Sequence, residues 1–290
     1  MLSISQTTSG FYCIEWTPTE NGPRIVNSKY LKIYNSIENK GVLEEITSHF
    51  SPIKGKDSKS LSITLNIDKF FISEIKRDKN MIDQDYIKWY EENIINEDYK
   101  KMYDLFYFPL VDKLSYIAIS ISKSIKNDLI RGSSKLGYNL RYLSIDIFSS
   151  ATLLKSINNI DNFLIWKIGK NNNHYLLNII DSKISAYCKF KKQSNTIVEI
   201  IKIGDNHIVS EMHNLLTSLL INNNKNTSFS KIFIYQTSNS EKNIKSILSS
   251  EIENIELFNI VNLFDSKAIF QPIKSSRYVE NGISFRGIDV

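Results

Sequence analysis

The chain reads as an α/β protein of two lobes with a small insertion in the first lobe. Three observations predict this. Leu114 to Leu154 runs strand, helix, strand, helix without a break. The two halves of the chain each open with a strand, a tight turn and a returning strand. Within the first half, the stretch 76–109 changes composition and becomes dense in aromatic residues. The expected division is 1–75 with 110–150 as the first lobe, 76–109 as the insertion and 151–290 as the second lobe.

In the organising stretch, Tyr116–Ile121 is a short apolar run with β-branched alternation, hence a buried strand. Ser122–Leu136 places Ile125, Leu129, Ile130 and Leu136 roughly on one helix face, and Gly137 follows where a left-handed C-terminal cap is expected. Arg141–Ile147 is a second strand, leading through Phe148 and Ser149 into a helix with Ala151 and Leu154. Strand, helix and strand in this order predict a right-handed parallel crossover within one sheet.

From the start of the chain, Phe11–Trp16 is a strand, Thr17–Pro23 a turn with Asn-Gly and two prolines, and Arg24–Tyr34 the returning strand. Val42, Leu43, Ile46 and Phe50 mark a short helix. Ser51–Ser60 is a polar loop, Leu61–Ile67 alternates as a strand, and Phe70–Ile75 continues it or begins another. In the insertion, Asp83 suits a helix N-cap, with Ile82 and Ile87 at the two positions of a hydrophobic staple. The aromatic run Tyr99, Tyr103, Phe106, Tyr107, Phe108 has two readings. It is the small core of a subdomain, or it supplies the anchors of a partner surface.

In the second half, Asn162–Gly169, His174–Asp181 and Ile184–Phe190 form a three-strand meander, followed by the strand Thr196–Ile203. Asp205 or Asn206 caps a helix with Ile208, Met212, Leu215, Leu216 and Leu219 on one face. Lys231–Tyr235 is a short buried strand. Ser238 and Glu241 have capping-box spacing before Ile244, Ile247 and Leu248, and Glu256–Leu263 ends the sheet.

Composition bounds the function. With 290 residues, 42% hydrophobic and 11% aromatic, the chain can bury a sizeable core. The net charge of +5 is mild and spread along the chain. Lys189–Lys192 reads as a solvated hairpin, so nucleic acid is not an expected partner. Cys13 and Cys188 lie in apolar runs and read as buried structural thiols of a reducing compartment. No membrane span is expected. His49, His174, His207 and His213 lack metal-ligand spacing, and neither a Walker loop nor a nucleophile elbow occurs.

Two α/β lobes that each open on a hairpin resemble the plan of the actin-like ATPase superfamily, a ribonuclease H-like fold. Within it, the sequence looks most like PilM-type proteins of type IV pilus assembly. YIAISISKSIKNDLIRGSSKLGYNLRYLSIDIFSSATLL is similar to that family's strand, helix, glycine, strand and Asp-containing turn into the second-domain helix. FLIWKIGKNNNHYLLNIID resembles its second phosphate hairpin, the closing NGISFRG its final helix start, and the aromatic insertion its extra subdomain. The resemblance implies two phosphate hairpins, each usually Asp-x-Gly, whose Gly amides approach phosphate and whose Asp positions Mg²⁺. Here the first is matched to Glu15-Trp16-Thr17, followed by Pro18, and the second to Lys167-Ile168-Gly169. The adenosine-side turn, Gln236-Thr237-Ser238-Asn239, lacks a glycine pair. A lysine in the Asp position repels a divalent ion by on the order of a few kcal/mol at close range.

The resemblance therefore implies a non-catalytic scaffold with a vestigial nucleotide cleft at Glu15, Thr17, Lys167 and Gly169. ATP and Mg²⁺ enter only if that cleft still binds. It also implies a cytoplasmic protein, peripheral at the inner membrane, that holds the cytoplasmic peptide of a bitopic pilus or secretion protein. Tyr99, Tyr103, Phe106 and Phe108 are the expected contacts, and self-association is compatible with this reading. The alternative is a divergent nucleotide-binding actin-like ATPase or sugar-kinase-like enzyme, with Glu15 handling the metal and Gly169 the phosphate.

Overall fold

A computed structural model of the protein describes residues 1–19, 22–50, 59–78, 83–158, 160–222, 227–237, 242–248, 252–258 and 276–285. Three sheets carry the architecture. The first is five-stranded: β1 (Leu2–Thr7), β2 (Gly10–Thr19), β3 (Gly22–Leu31), β4 (Lys59–Leu65) and β8 (Tyr138–Ile145), in the order β3-β2-β1-β4-β8. The small sheet holds β5 (Phe71–Lys76), β6 (Tyr103–Pro109) and β7 (Ser115–Ser122), in the order β5-β7-β6. The third is six-stranded: β9 (Phe163–Ile168), β10 (Asn173–Ile180), β11 (Lys183–Gln193), β12 (Thr196–Gly204), β13 (Ile232–Gln236) and β14 (Ile255–Leu257), in the order β12-β11-β10-β9-β13-β14.

Helices α1 (Val42–Ser48) and α4 (Lys123–Lys135) cover the outer face of the first sheet, where Leu2, Ile4, Phe11, Cys13, Ile63 and Leu129 are buried. Helices α6 (Asn206–Leu220) and α7 (Lys242–Leu248) cover the outer face of the third, over Trp166, Leu176, Cys188 and Ile234. Between the two inner faces lie α5 (Asp146–Asn158) and a closing helical segment, Ser276–Phe285, wound as a 3-10 helix. Gly282 lets these two meet, since a Cβ there would sit 2.4 Å from the Ser149 carbonyl oxygen and 2.6 Å from Leu153 Cβ. Helices α2 (Asp83–Asn93) and α3 (Glu97–Met102) pack on the small sheet. Cys13 and Cys188 are both buried, and no helix among the described residues is long and apolar enough to cross a membrane.

Local expectations hold where turn and cap chemistry is explicit. Gly137 ends α4 in the left-handed region, and the Asp205 carboxylate accepts from the backbone N–H groups of His207 and Ile208 at the start of α6. Asp181 and Ser182, both at positive φ, make the tight turn of the β10–β11 hairpin. The start of α2 is at Asp83, but its cap, Ile82 and the Ser238–Glu241 box fall outside the described residues, as does the strand end beyond Phe258.

Three expectations are corrected. Leu2–Thr7 is a strand, and a central one, flanked by β2 and β4. A hairpin of β1 and β2, turning at Thr8–Ser9, therefore precedes the expected one, in which β2 and β3 pair antiparallel from Phe11 opposite Leu31 to Thr19 opposite Gly22. The strand at Tyr116–Ile121 does not share a sheet with the strand after α4. It pairs antiparallel with β5 and β6, and the parallel neighbour of β8 is β4. The crossover thus runs from β4 to β8 with the small subdomain inserted into it. That subdomain exceeds 76–109, because its sheet also takes Phe71–Lys76 and Ser115–Ser122.

Candidate functional site

Two places in the molecule have the make-up of sites: the space between the lobes and a groove beside the small sheet. The first is built on one register row of the third sheet. Tyr235, Lys167, Tyr175 and Lys189 stand side by side on β13, β9, β10 and β11. All four side chains therefore leave the sheet on the same face. They meet acids from outside it. Lys167 donates to Asp146 at 2.5 Å and to Glu280 at 2.6 Å. Tyr235 donates to Glu280 at 3.1 Å, and Ser5 on β1 donates to the other Glu280 oxygen at 3.2 Å. The Tyr175 hydroxyl and the Lys189 ammonium both reach Asp68, at 2.8 Å and 2.7 Å. The Tyr175 ring lies between the two ammonium groups, its centroid 5.5 Å from Lys167 and 5.4 Å from Lys189.

The local sequence explains why the acids are there. Asp146 is the first residue of α5, directly after β8. Its oxygens accept from the backbone N–H of Ile147 at 2.6 Å and of Ile67 at 3.0 Å. Glu280 is fixed in the closing helical segment between the buried Val279 and Asn281. Lys167 is only 3% exposed and Glu280 0%, so each charge survives through its partners. Burial pushes the Glu280 carboxyl up to about 7; Lys167 pulls against this and Asp146 adds to it. Burial disfavours the Lys167 cation, but Asp146 and Glu280 outweigh it and hold the ammonium above its usual range. Burial also raises the Tyr235 hydroxyl well above its ordinary value, and nearby carboxylates reinforce this.

The four residues expected to form a nucleotide cleft are not brought together. Lys167 and Gly169 lie at the end of β9, facing the space between the lobes. Glu15 pairs with Leu2 and shares the outer face with Leu2 and Cys13, where it forms an ion pair with Lys59. Ser5, on the inner face, is the residue of that hairpin that reaches Lys167's partner. Thr17 is exposed and pairs with Arg24 at the far end of the hairpin. Strand β1 puts the turn that faces this space at Thr8–Ser9, one hairpin ahead of the Thr17–Pro23 turn to which the resemblance assigns it. The chain's alternation (Leu2 and Ile4 outward, Ser3 and Ser5 inward) before Thr-Thr-Ser-Gly carried the signal.

A metal–phosphate group in this space would meet side chains already engaged with one another. The acids nearest Lys167 are engaged by it, and no group of ligands among the described residues could hold a metal ion. Gly169 has an extended backbone, and its N–H is bonded to the Asn173 carbonyl at 2.8 Å. Its missing Cβ makes room for the Tyr175 ring, not for an open approach: a Cβ there would lie 2.7 Å from Tyr175 Cε2. Gln236 and Thr237 are described and buried, whereas Ser238 and Asn239 fall outside the described residues.

The second place is a groove of about 430 Å³ between the inner face of the small sheet, α4, β8 and α5. Strands β6 and β8, each an edge of its sheet, flank it. Phe106 and Phe108 point into it with Ile119 and Ile121, opposite Leu143 and Phe148. Phe106 remains 44% exposed and Phe108 38%. The other two expected contacts do not share this face. Tyr99 stacks on Tyr103 with ring centroids 4.5 Å apart, and its hydroxyl donates to Ser120 at 2.7 Å. Alternation along β6 turns Tyr103 to the α2–α3 side, where Tyr107 packs with Tyr86 and Ile75. The aromatic run thus divides between the two faces of the small sheet: Tyr99, Tyr103 and Tyr107 on the α2–α3 side, Phe106 and Phe108 in the groove.

No family model matches the chain, and no curated protein matches it either. Solved structures do. The PilM–PilN type IV pilus biogenesis complex matches with a TM-score of 0.61 at 11% identity, over 99% of this chain and 98% of that one. A Bacteroides thetaiotaomicron protein with actin-like ATPase fold and unknown function matches with a TM-score of 0.47 at 14% identity, over 89% and 90%. The cytoplasmic domain of EpsL, an inner membrane component of the type II secretion system of Vibrio cholerae, matches with a TM-score of 0.46 at 10% identity, over 90% and 91%. The two-lobe architecture and the likeness at a TM-score of 0.61 agree: the protein has an actin-like fold, similar to the structure of the PilM–PilN complex.

Proposed function

We propose that the protein is a non-catalytic actin-like scaffold that holds the cytoplasmic segment of a bitopic inner-membrane protein, as part of a pilus or secretion assembly. The observation that carries this reading is the groove: an apolar channel between two edge strands, with Phe106 and Phe108 half-exposed on its floor. Exposed aromatics in a concave apolar setting are the make-up of peptide anchors. The fold-level likeness to a PilM–PilN complex supports the choice of partner class. The engagement of Lys167, Asp146, Glu280 and Tyr175 with one another supports the absence of nucleotide turnover. A nucleotide-dependent enzyme would need Lys167 and Tyr175 out of the space between the lobes. The protein would then work in the cytoplasm, at the inner membrane.

The test is site-specific photo-crosslinking from position 106 in cells, followed by mapping of the linked peptide. The reading expects the short cytoplasmic segment of a single-span membrane protein, and expects the crosslink to vanish with Phe108→Asp while the fold persists. Crosslinks that map only to folded cytosolic domains, or that survive Phe108→Asp, contradict it.

A further inference from the structure

Apolar packing accounts for most of the groove wall, but not for Arg141. The ladder between β4 and β8 steps from Leu61 opposite Leu140 to Ser62 opposite Tyr142, so Arg141 is the extra residue of a bulge. Bulges re-aim a side chain, and in parallel pairs they are rare. Here the bulge sits on an edge strand that flanks the groove. Among the described residues that line the groove, the charged ones are Lys126 and Arg141. Lys126 is already ion-paired with Asp104. The Arg141 guanidinium lies over the Tyr142 ring, 5.4 Å from its centroid, a stacking that holds the fork in place without neutralising it.

We propose that Arg141 is a specificity-determining residue of the groove, pairing with an acidic side chain on an extended partner segment whose apolar side chains seat on Phe106, Phe108 and Leu143. This rests on the reading of the groove as a peptide site and adds to it the chemistry of the peptide. The segment is extended because both flanks of the groove are strand edges, which offer unpaired backbone to a third strand. The acid follows from charge: a planar guanidinium forks onto a carboxylate, none of the described residues lining the groove is acidic, and the nearby Asp104 is engaged by Lys126.

The probe is a set of three fluorescein-labelled octapeptides with leucine at alternate positions and one central position varied as Asp, Asn or Lys. Binding to the full chain is read by fluorescence anisotropy. The Asp peptide is expected to bind about tenfold or more tightly than the Asn or Lys peptides, the scale of one charge-assisted contact. Arg141→Glu, at an exposed position, is expected to invert the order in favour of the Lys peptide. Equal affinities for all three peptides, with binding lost on Phe106→Asp, overturn the role of Arg141 and leave the groove reading standing. Binding of none of them, or binding indifferent to Phe106→Asp, overturns both. If Arg141→Glu abolishes sedimentation with phosphatidylglycerol vesicles and leaves the peptide order unchanged, Arg141 reads anionic headgroups, and the proposal falls.

Discussion

Tyr175 packs its ring edge against the face of Gly169 from which a side chain is missing, so closely that a Cβ on Gly169 would lie 2.7 Å from Tyr175 Cε2. The glycine at the end of β9 is therefore required by the protein's own tyrosine. Gly169→Ala should destabilise the fold by roughly 1–3 kcal/mol, the usual range for overpacking. Adding Tyr175→Ala should make the effect of the alanine at 169 much smaller. A double-mutant cycle in urea checks this, and additive losses would show that the two positions do not share the space.

The closing helical segment depends on a similar approach. Gly282→Ala places a methyl group 2.4 Å from the Ser149 carbonyl oxygen, which is backbone and cannot swing away. It should lower the unfolding midpoint more than Gly132→Ala on α4, where the nearest atom is Leu43 Cδ2 at 3.6 Å. Thermal unfolding of the two variants side by side decides it.

Lys167 is the cation shared by two buried acids, Asp146 and Glu280, so its removal should be felt through what it leaves behind. Lys167→Met should cost about 3–5 kcal/mol, because Asp146 and Glu280 would face each other without a cation. Adding Glu280→Gln should recover a large part. Urea unfolding with an unchanged m-value measures both.

Much of this arrangement was open to a reading of the sequence, and part was not. The two-lobe plan, the meander from Phe163 to Phe190, the cap at Asp205 and the C-terminal glycine at 137 all follow from local periodicity and turn chemistry. The clasp between the lobes does not. Lys167 stood out only as a departure from an expected Asp. Its partners lie 21 and 113 positions away, and an acid inside YVENGISF gives no local sign of burial. Lys189 read as part of a solvated hairpin, yet it reaches Asp68. Strand β6 was hidden because Tyr103–Pro109 is aromatic on both faces, which erases the alternation that marks a strand.

Two buried groups should give stability opposite slopes with pH. Burial lowers the His174 pKa to about 4, with Lys192 adding to it, and its Nδ1 accepts from the Trp166 indole N–H at 3.1 Å, which requires a neutral ring. The unfolded state binds that proton more tightly, so this contribution is present above the unfolded value of 6.5 and lost as pH falls through about 4. The Glu280 pKa is raised from 4.5 to about 7, so here the folded state binds the proton more tightly. Its contribution is present below 4.5 and lost as pH rises through about 7. His174→Gln should flatten the acid limb of a stability–pH profile, and Glu280→Gln the limb toward neutral pH. Unfolding in urea across a pH series reads both slopes.

The space between the lobes is occupied by a structural clasp of Lys167, Asp146, Glu280, Tyr175 and Asp68. The most direct measurement is thermal unfolding of the full chain with and without millimolar Mg-ATP. A ligand at about a hundred times its dissociation constant adds about 2.7 kcal/mol, which for a chain of this size raises the midpoint by several degrees. The clasp predicts no rise, in the wild type and in Glu15→Gln alike. A rise of several degrees would contradict it, and would mean that Lys167 and Tyr175 leave the space when nucleotide arrives.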